Sequence, residues 1–105
     1  MIVRTWRGKA ARGKETAYAE HFRSKLLPEL KSISGFLGAT LLREDHDKES
    51  EFLVLSRWSS LEAIRAFAGQ ALEHAVMDPD AIAALLSYDP KVQHYAIVEE
   101  YIRPR

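Results

Sequence analysis

The spacing of hydrophobic residues changes along the chain, and this change constrains the fold more than any other feature. Side chains alternate in character over residues 2–9, which predicts a first strand. Tyr18 and Phe22 begin a repeat of three and four residues that predicts a helix over 14–33. Pro28 lies inside this repeat, so we expect it to bend or loosen the last helical turns.

Two more strands and a second helical region follow. Residues 36–43 and 51–58 are predicted strands, and the wholly polar segment between them is typical of a hairpin tip. Ser59 and Glu62 have the spacing of a capping box, which predicts the start of a helix. Residues 70–77 are predicted to form a further short helix.

Two Asp-Pro pairs divide the last third of the chain. Asp78 is a predicted N-cap and Pro79 a predicted first residue of a helix over 80–86. Pro90 ends that helix, and residues 92–102 are predicted to form the last strand. The order β-α-β-β-α-β predicts an α+β fold of the ferredoxin-like type, with an antiparallel sheet, in one domain spanning all 105 residues.

The predicted sheet has apolar side chains on both faces. The second strand is an example, because its faces carry Phe36, Thr40 and Leu42 on one side and Leu37, Ala39 and Leu41 on the other. Two helices cover only one face of such a sheet, and the other face would expose a larger apolar patch than monomers tolerate. A second copy of the chain, stacked sheet on sheet in a homodimer of about 24 kDa, is the predicted cover.

Charge and cysteine content exclude several classes of function. Fifteen Lys and Arg residues balance fifteen Asp and Glu residues, so we expect no binding to nucleic acids or anionic membranes. No apolar run approaches the roughly 20 residues that cross a bilayer. There is no cysteine and no export signal, so we expect a cytoplasmic protein. Four scattered histidines lack metal-ligand spacing, so no metal site is predicted.

Several segments together resemble one known family, that of the antibiotic-biosynthesis-monooxygenase (ABM) proteins. They are residues 2–6 of the first strand, residues 26–30 and 35–39, and residues 51–63, where a strand ends in Trp58 before a serine-containing cap. The resemblance covers nearly the whole chain. It implies a dimeric ferredoxin-like α+β barrel with a pocket between the sheet and the second helical region.

The resemblance also implies a range of activities. Characterised relatives include oxygenases of aromatic polyketide quinols that use neither metal nor flavin, other quinol monooxygenases, and haem-degrading proteins. The haem-degrading relatives carry an Asn, a Trp and a His at positions that fall here on Trp6, Phe67 and about Met77. All three residues differ and the chain contains no Asn, which argues against haem degradation by that route.

Five further assignments concern the chemistry of this pocket. Arg4 and Trp6 share a strand face, so a planar ligand could stack on the indole while the guanidinium holds a phenolate or carboxylate. The alternatives are core packing for Trp6 and a strand-end charge for Arg4. His74 and His94 are candidate bases, because an ordinary histidine pKa lies near 6.5. His74 could equally be a surface residue or an axial haem ligand, and Tyr88 could line the pocket mouth.

We therefore expect a small-molecule monooxygenase that oxidises an aromatic or quinol-like substrate without a cofactor. The expected catalytic residues are His74 and His94, and the expected substrate contacts are Arg4, Trp6, Phe67, Met77 and Tyr88. One alternative is a non-catalytic module that binds haem or another planar ligand. A second alternative is a structural dimer whose pocket is filled by its own side chains.

Overall fold

Strand β1 (Ile2–Ala11) lies inside an antiparallel five-stranded sheet in the computed structural model, which describes all 105 residues. The sheet order is β2-β3-β1-β4, and β5 pairs with the same edge of β1 as β4 does. The α+β ferredoxin-like fold expected from the sequence is therefore confirmed. After β1 the elements are α1 (Glu15–His21), a π-helical turn (Phe22–Leu26), α2 (Leu27–Lys31), β2 (Phe36–Asp45), β3 (Glu49–Trp58), α3 (Leu61–Ala68), α4 (Pro79–Ala83), β4 (Ser87–Tyr88) and β5 (Gln93–Ala96).

The predicted first helix is present, with a change of winding in its middle. The π-helical turn stands immediately before Pro28, and the amide of Leu27 bonds to the carbonyl of Phe22, five residues back. Pro28 has no amide to donate, so a looser turn next to it is consistent with the predicted disturbance. The predicted apolar face is buried through Tyr18, Phe22 and Leu30.

The helices cover one face of the sheet, which we call the covered face. Antiparallel register sets Trp6 opposite Val54 and Ile2 opposite Trp58, so side chains two residues apart in β1 and β3 share this face. Phe52 and Trp58 are at most 1% exposed. The intervening residues of the same strands lie on the opposite face, which we call the open face. No helix is long and apolar enough to cross a membrane.

A bulge corrects the predicted faces of the second strand. The pairing register shifts between Phe36 and Gly38, so Phe36 lies opposite Trp58 and packs edge-to-face on its ring at 5.3 Å. Phe36 therefore shares the covered face with Ala39 and Leu41, although simple alternation predicted the reverse.

Helix α3 begins one residue later than the capping box predicted. Ser60 is the N-cap, in extended conformation, and its hydroxyl accepts the amide of Ala63 at 3.2 Å. Ser59 is used differently, because its amide donates to the carbonyl of Gly35. Glu62 lies within the helix and pairs with Arg65. The predicted capping box of Ser59 and Glu62 is therefore replaced by a single N-cap, Ser60.

The prediction of a helix over 70–77 is wrong. Gly69 ends α3 at a φ of 75°, and the next residues form turns. The carbonyls of Leu72 and His74, which a helix would use internally, accept hydrogen bonds from Arg4. His74 also forms an isolated bridge with Lys91, which ties the segment to the start of β5. Hydrogen bonds to Arg4 and the bridge to Lys91 thus take the place of helical hydrogen bonds in this segment.

The last strand is divided and shorter than predicted. It begins early as β4, breaks around Pro90, resumes as β5 and stops at Ala96, followed by a final bond from the amide of Ile97 to the carbonyl of Met1. Residues 97–102, the second half of the strand predicted over 92–102, form no strand. Asp78 caps α4 through Ala81 as expected, although α4 ends at Ala83.

Candidate functional site

A small cavity lies between the covered face and the helices, where β1, β3 and the segment 70–77 meet. Its volume is about 50 Å³ and its wall is mostly apolar. The lining residues are Arg4, Trp6, Tyr18, Leu26, Leu30, Val54, Ser56, Phe67, Val76, Met77 and Val92. We call this space the inner cavity. Four of the expected substrate contacts therefore meet in one place, namely Arg4, Trp6, Phe67 and Met77.

Trp6 forms the floor of the inner cavity. Its indole lies over Gly8, where a Cβ atom would come within 2.4 Å of the ring. The indole nitrogen donates to the carbonyl of Asp89 at 3.1 Å, and Tyr18 packs beside the ring with centroids 5.4 Å apart. Trp6 is thus held by core packing and also lines the cavity, while the stacking of a ligand on its ring stays a prediction.

Arg4 is the one charged residue in the wall of the inner cavity, and it is only 4% exposed. Its guanidinium donates to the carbonyl of Leu72 at 2.6 Å and to that of His74 at 3.0 Å. Burial lowers the pKa of Arg4 to about 10, so the side chain still carries its charge at neutral pH. The interpretation of Arg4 as a strand-end surface charge is not compatible with this burial.

His94 lies opposite Arg4 in the pairing of β1 with β5. The Nε2 atom of His94 is 2.9 Å from Nη1 of Arg4, and since guanidinium groups only donate, Nε2 is the acceptor and the imidazole is neutral. Burial, and then the positive charge of Arg4, hold the pKa of His94 below its usual value of 6.5, against the opposite effect of Glu73. His94 is therefore unprotonated and contacts Arg4 from outside the inner cavity, which it does not itself line.

Phe67 connects the inner cavity to the core beneath α3. Its ring stacks on Trp58 with centroids 6.0 Å apart, and the guanidinium of Arg4 lies 5.8 Å from the centre of its ring. The distance suits a cation–π contact. Phe67 therefore helps to hold Arg4 in place.

A second space lies outside the inner cavity, and we call it the outer cleft. Its volume is about 380 Å³. It is lined by His74, Ala75, Met77, Ile82, Tyr88, Pro90 and Lys91. The structure thus separates the expected site residues: His74 and Tyr88 line the outer cleft, Arg4, Trp6 and Phe67 line the inner cavity, and Met77 lines both.

Sequence reasoning missed two polar residues in the inner cavity. Burial raises the pKa of Tyr18 well above its usual value, so this phenol stays neutral. Ser56 is 5% exposed and accepts a hydrogen bond from the indole of Trp58 at 2.9 Å. The helical repeat places Tyr18 on the core face but does not indicate that it borders a cavity. For Ser56 the available signal is its position in β3, where it alternates in phase with the buried residues Phe52 and Val54.

The structure contains no cluster of three or more His, Asp or Glu side chains that could hold a metal ion. Haem does not fit the inner cavity either, because 50 Å³ is far below the volume of a porphyrin. Neither His74 nor His94 lines that cavity, so neither is placed to act as an axial ligand inside it.

Known structures share this architecture over nearly the whole chain. SnoaB, a cofactor-independent oxygenase from Streptomyces nogalater, is 19% identical with a TM-score of 0.62, covering 99% of this chain and 98% of its own. A monooxygenase from Streptomyces coelicolor, in complex with nanaomycin D, is 16% identical with a TM-score of 0.64 and coverages of 99% and 92%. The haem degrader MhuD from Mycobacterium tuberculosis is 20% identical with a TM-score of 0.64 and coverages of 96% and 99%. At these identities the likeness concerns the fold alone.

Sequence comparison reaches further than fold. No curated protein matches the chain. The profile described as "Antibiotic biosynthesis monooxygenase" matches residues 1–77. This range holds β1 to α3 and every residue that lines the inner cavity except Val92. Because the match covers well over half of the sequence, the chain belongs to the antibiotic biosynthesis monooxygenase family.

Proposed function

We propose that the protein is a monooxygenase of the ABM type that oxidises a small aromatic or quinol-like substrate without a cofactor. The observation that carries this proposal is the contact between buried Arg4 and neutral His94 beside an apolar cavity floored by Trp6. A base and a fixed cation together favour the deprotonated form of a phenolic substrate, which is the form that reacts with oxygen.

His94 is the proposed base, taking the substrate proton on Nε2 once that atom releases the N–H of Arg4, and Arg4 is then the proposed partner of the phenolate. His74 is less suitable, because its side chain faces the outer cleft and only its carbonyl contacts Arg4. In the proposed reaction the ring carbon para to the phenol becomes a carbonyl and gains one oxygen atom. A CH₂ group loses both of its hydrogens, whereas a CH group loses one and the phenol O–H loses the other. The other oxygen atom leaves as water, and the substrate itself supplies all four electrons that reduce O₂.

Anthrone is a direct probe, because its enol is a phenol and its CH₂ group becomes a carbonyl in this reaction. We expect oxygen uptake above autoxidation, with one O₂ consumed per anthraquinone formed and one labelled oxygen atom retained from ¹⁸O₂. A panel of anthrones and naphthalene quinols extends the test. Uptake that never exceeds autoxidation on any of them would refute the proposal.

The pH dependence of this activity tests the role of His94. Since the pKa of His94 is lowered, the free base is present at neutral pH, and the rate should fall only as the pH drops below about 6.5. His94→Gln should lose the activity together with that acid limb. His46→Gln is the matched control, because His46 is exposed in the hairpin between β2 and β3. Equal loss in both variants would exclude His94 as the base.

The proposed working form is a homodimer in which the open faces of two copies pack against each other. Each copy is proposed to be a single domain that spans the whole chain. This face carries apolar residues that remain partly exposed, namely Leu42, Leu53, Leu55 and Tyr95, with Thr5 and Thr40 between them. The apolar side chains of Val98, Tyr101 and Ile102 project beyond the sheet and are 70% or more exposed. A second copy is the simplest cover for both regions. The cytoplasmic location stays a prediction.

The small volume of the inner cavity favours a second candidate function. Ligand pockets usually measure about 300–1,000 Å³, well above the 50 Å³ observed here. The protein would then be a structural dimer, or a module that binds haem or another planar ligand in the outer cleft without oxidising it. A haem titration separates these two: a Soret shift that disappears in His74→Ala supports the binding module.

A further inference from the structure

The inner cavity is a space that the chain's own side chains leave within a packed core. It measures about 50 Å³ and is bordered by Trp6, Tyr18 and Val54, each at most 8% exposed. Protein interiors contain few voids larger than one water molecule, because each such void lowers stability. The size and the lining of this space therefore indicate what kind of occupant it can take.

The volume limits the occupant to a few atoms. One water takes up about 30 Å³ in the liquid, whereas an apolar cavity of about 150 Å³ holds benzene. At about 50 Å³ the inner cavity lies between these two cases, so it admits a diatomic molecule and excludes an aromatic ring. Of the two reactants in the proposed oxidation, dioxygen fits this space and the aromatic substrate does not.

The wall of the inner cavity favours a nonpolar occupant over water. Nine of its eleven lining residues are hydrophobic, and the other two are Arg4 and Ser56. Both already bind within the chain, since Arg4 donates to two backbone carbonyls and to His94, and Ser56 accepts from the indole of Trp58. A buried water needs two to four polar partners, whereas dioxygen is a neutral, nonpolar molecule that needs none.

The position of the inner cavity places its occupant beside the proposed reaction. The guanidinium of Arg4 lies in the cavity wall, and the same group contacts His94 outside the cavity at 2.9 Å. A substrate oxygen bound at this guanidinium would therefore lie next to the cavity. Val76 also lines the cavity and is 42% exposed, so the space lies near the protein surface, from which dioxygen enters.

We propose that the inner cavity is a binding site for dioxygen and that the aromatic substrate lies outside it. The binding of dioxygen follows from the volume and the apolar wall alone, while its role as the oxidant rests on the proposed function. The small volume, which is unfavourable for an aromatic ligand, is the property that suits the second reactant.

Dissolved dioxygen tests the site directly, because it is paramagnetic and accelerates the NMR relaxation of nuclei close to it. Methyl relaxation is compared under nitrogen and under several bar of dioxygen, with no substrate present. We expect a several-fold larger enhancement at the methyl groups of Val54 and Val92 than at those of Ile64. Ile64 is the control because it is buried at least as deeply and does not line the cavity. Equal enhancement at all three residues would overturn the proposal.

Filling the cavity tests the role of the bound dioxygen. Val54→Ile combined with Val92→Ile adds two methylene groups to the wall and should reduce the enhancement at the methyl group of Met77. In the anthrone assay the KM for dioxygen should rise several-fold, with little change in the KM for anthrone. Val3→Ile is the same substitution on the open face, away from the cavity, and should change neither. A rise confined to the KM for anthrone would place the aromatic substrate in the cavity and contradict the proposal.

The two measurements also separate this inference from the proposed function. Larger relaxation enhancement at the cavity without oxygen uptake on any anthrone or quinol would refute the proposed function and support the dioxygen site. Oxygen uptake without that enhancement would support the proposed function and refute the dioxygen site.

Discussion

The two faces of the sheet are built from alternate residues of the same strands, but only the covered face is closed within the chain. On that face Phe52 and Trp58 are at most 1% exposed under the helices. On the open face Leu53 and Leu55 occupy the intervening positions and remain partly exposed, and Tyr95 is 52% exposed. One face is a finished core, and the other carries apolar residues around Leu53, Leu55 and Tyr95 beside ion pairs such as that of Arg7 with Glu51.

This difference separates folding from assembly. Side chains on the covered face should determine whether a single chain folds, because their partners lie in the same chain. Side chains on the open face should determine whether two chains associate. The predictions below act on one face while leaving the other unchanged.

The largest expected effect is on the covered face at Trp58. This indole is fully buried, contacts Phe36 and Phe67, and donates to Ser56. Trp58→Ala should lower the free energy of unfolding by about 3–5 kcal/mol, a large share of the stability of a small domain. Urea denaturation measures this, and Trp58→Phe, which keeps an aromatic ring, should lose much less. An alanine variant within 1 kcal/mol of the parent would refute this core assignment.

The next effect is on the open face at Leu55, which lies between Thr5 and Thr40 of the neighbouring strands. Leu55→Lys would bury two ammonium groups in a face-to-face dimer, so we expect the mass in solution to fall from about 24 kDa to the 11.9 kDa of one chain. Light scattering measures the mass. The control is Leu86→Lys, because Leu86 is 62% exposed outside the sheet. A parent protein that is already monomeric at micromolar concentration would refute the dimer.

The sequence was sufficient for the order of elements because local periodicity determines them. It was insufficient to predict an element wherever a residue distant in sequence binds the backbone groups that a helix or strand would otherwise use. Residues 70–77 have helical spacing, but Arg4 takes the carbonyls of Leu72 and His74 from a strand about 70 positions earlier. The last strand is another case, since β5 pairs with β1 from Gln93 to Ala96 in a register that no local pattern specifies.

The candidate site was likewise predictable where it depends on a local pattern and unpredictable where it depends on distant contacts. The shared face of Arg4 and Trp6 follows from alternation within one strand. The contact of Arg4 with His94 requires the register of β1 against β5, which no local pattern specifies. The position of Met77 in the wall of both the inner cavity and the outer cleft is a property of the assembled core.

A pH-dependent effect is expected at Glu15, a buried carboxylate at the hairpin end of the covered face. Its pKa is held below the usual value of 4.5, chiefly by a hydrogen bond from Ser50, with Arg43 and the amide of Gly13 contributing. A lowered pKa means that this stabilisation is present above pH 4.5 and is lost as the pH falls through the folded-state pKa. Glu15→Gln should therefore lower the melting temperature most near pH 7 and progressively less below pH 4.5.

A control on the open side of the sheet completes that comparison. Glu100 pairs with Arg57, and its pKa is also lowered, but both side chains remain partly exposed. Glu100→Gln should change the melting temperature less than Glu15→Gln does, because an exposed pair contributes little. An equal or larger change at Glu100 would show that burial at the start of α1 adds nothing to the role of Glu15.

The smallest effect separates two adjacent serines at the start of α3, which rests on the covered face. Ser60 accepts the amide of Ala63, whereas the side chain of Ser59 has no such bond. Ser60→Ala should lower the free energy of unfolding by about 1 kcal/mol, the usual cost of losing a helix cap, and should leave the mass in solution unchanged. Ser59→Ala is the matched control and should change stability by less than about 0.5 kcal/mol. The capping box read from the sequence makes the opposite prediction, so urea denaturation of the two variants decides which serine begins the helix.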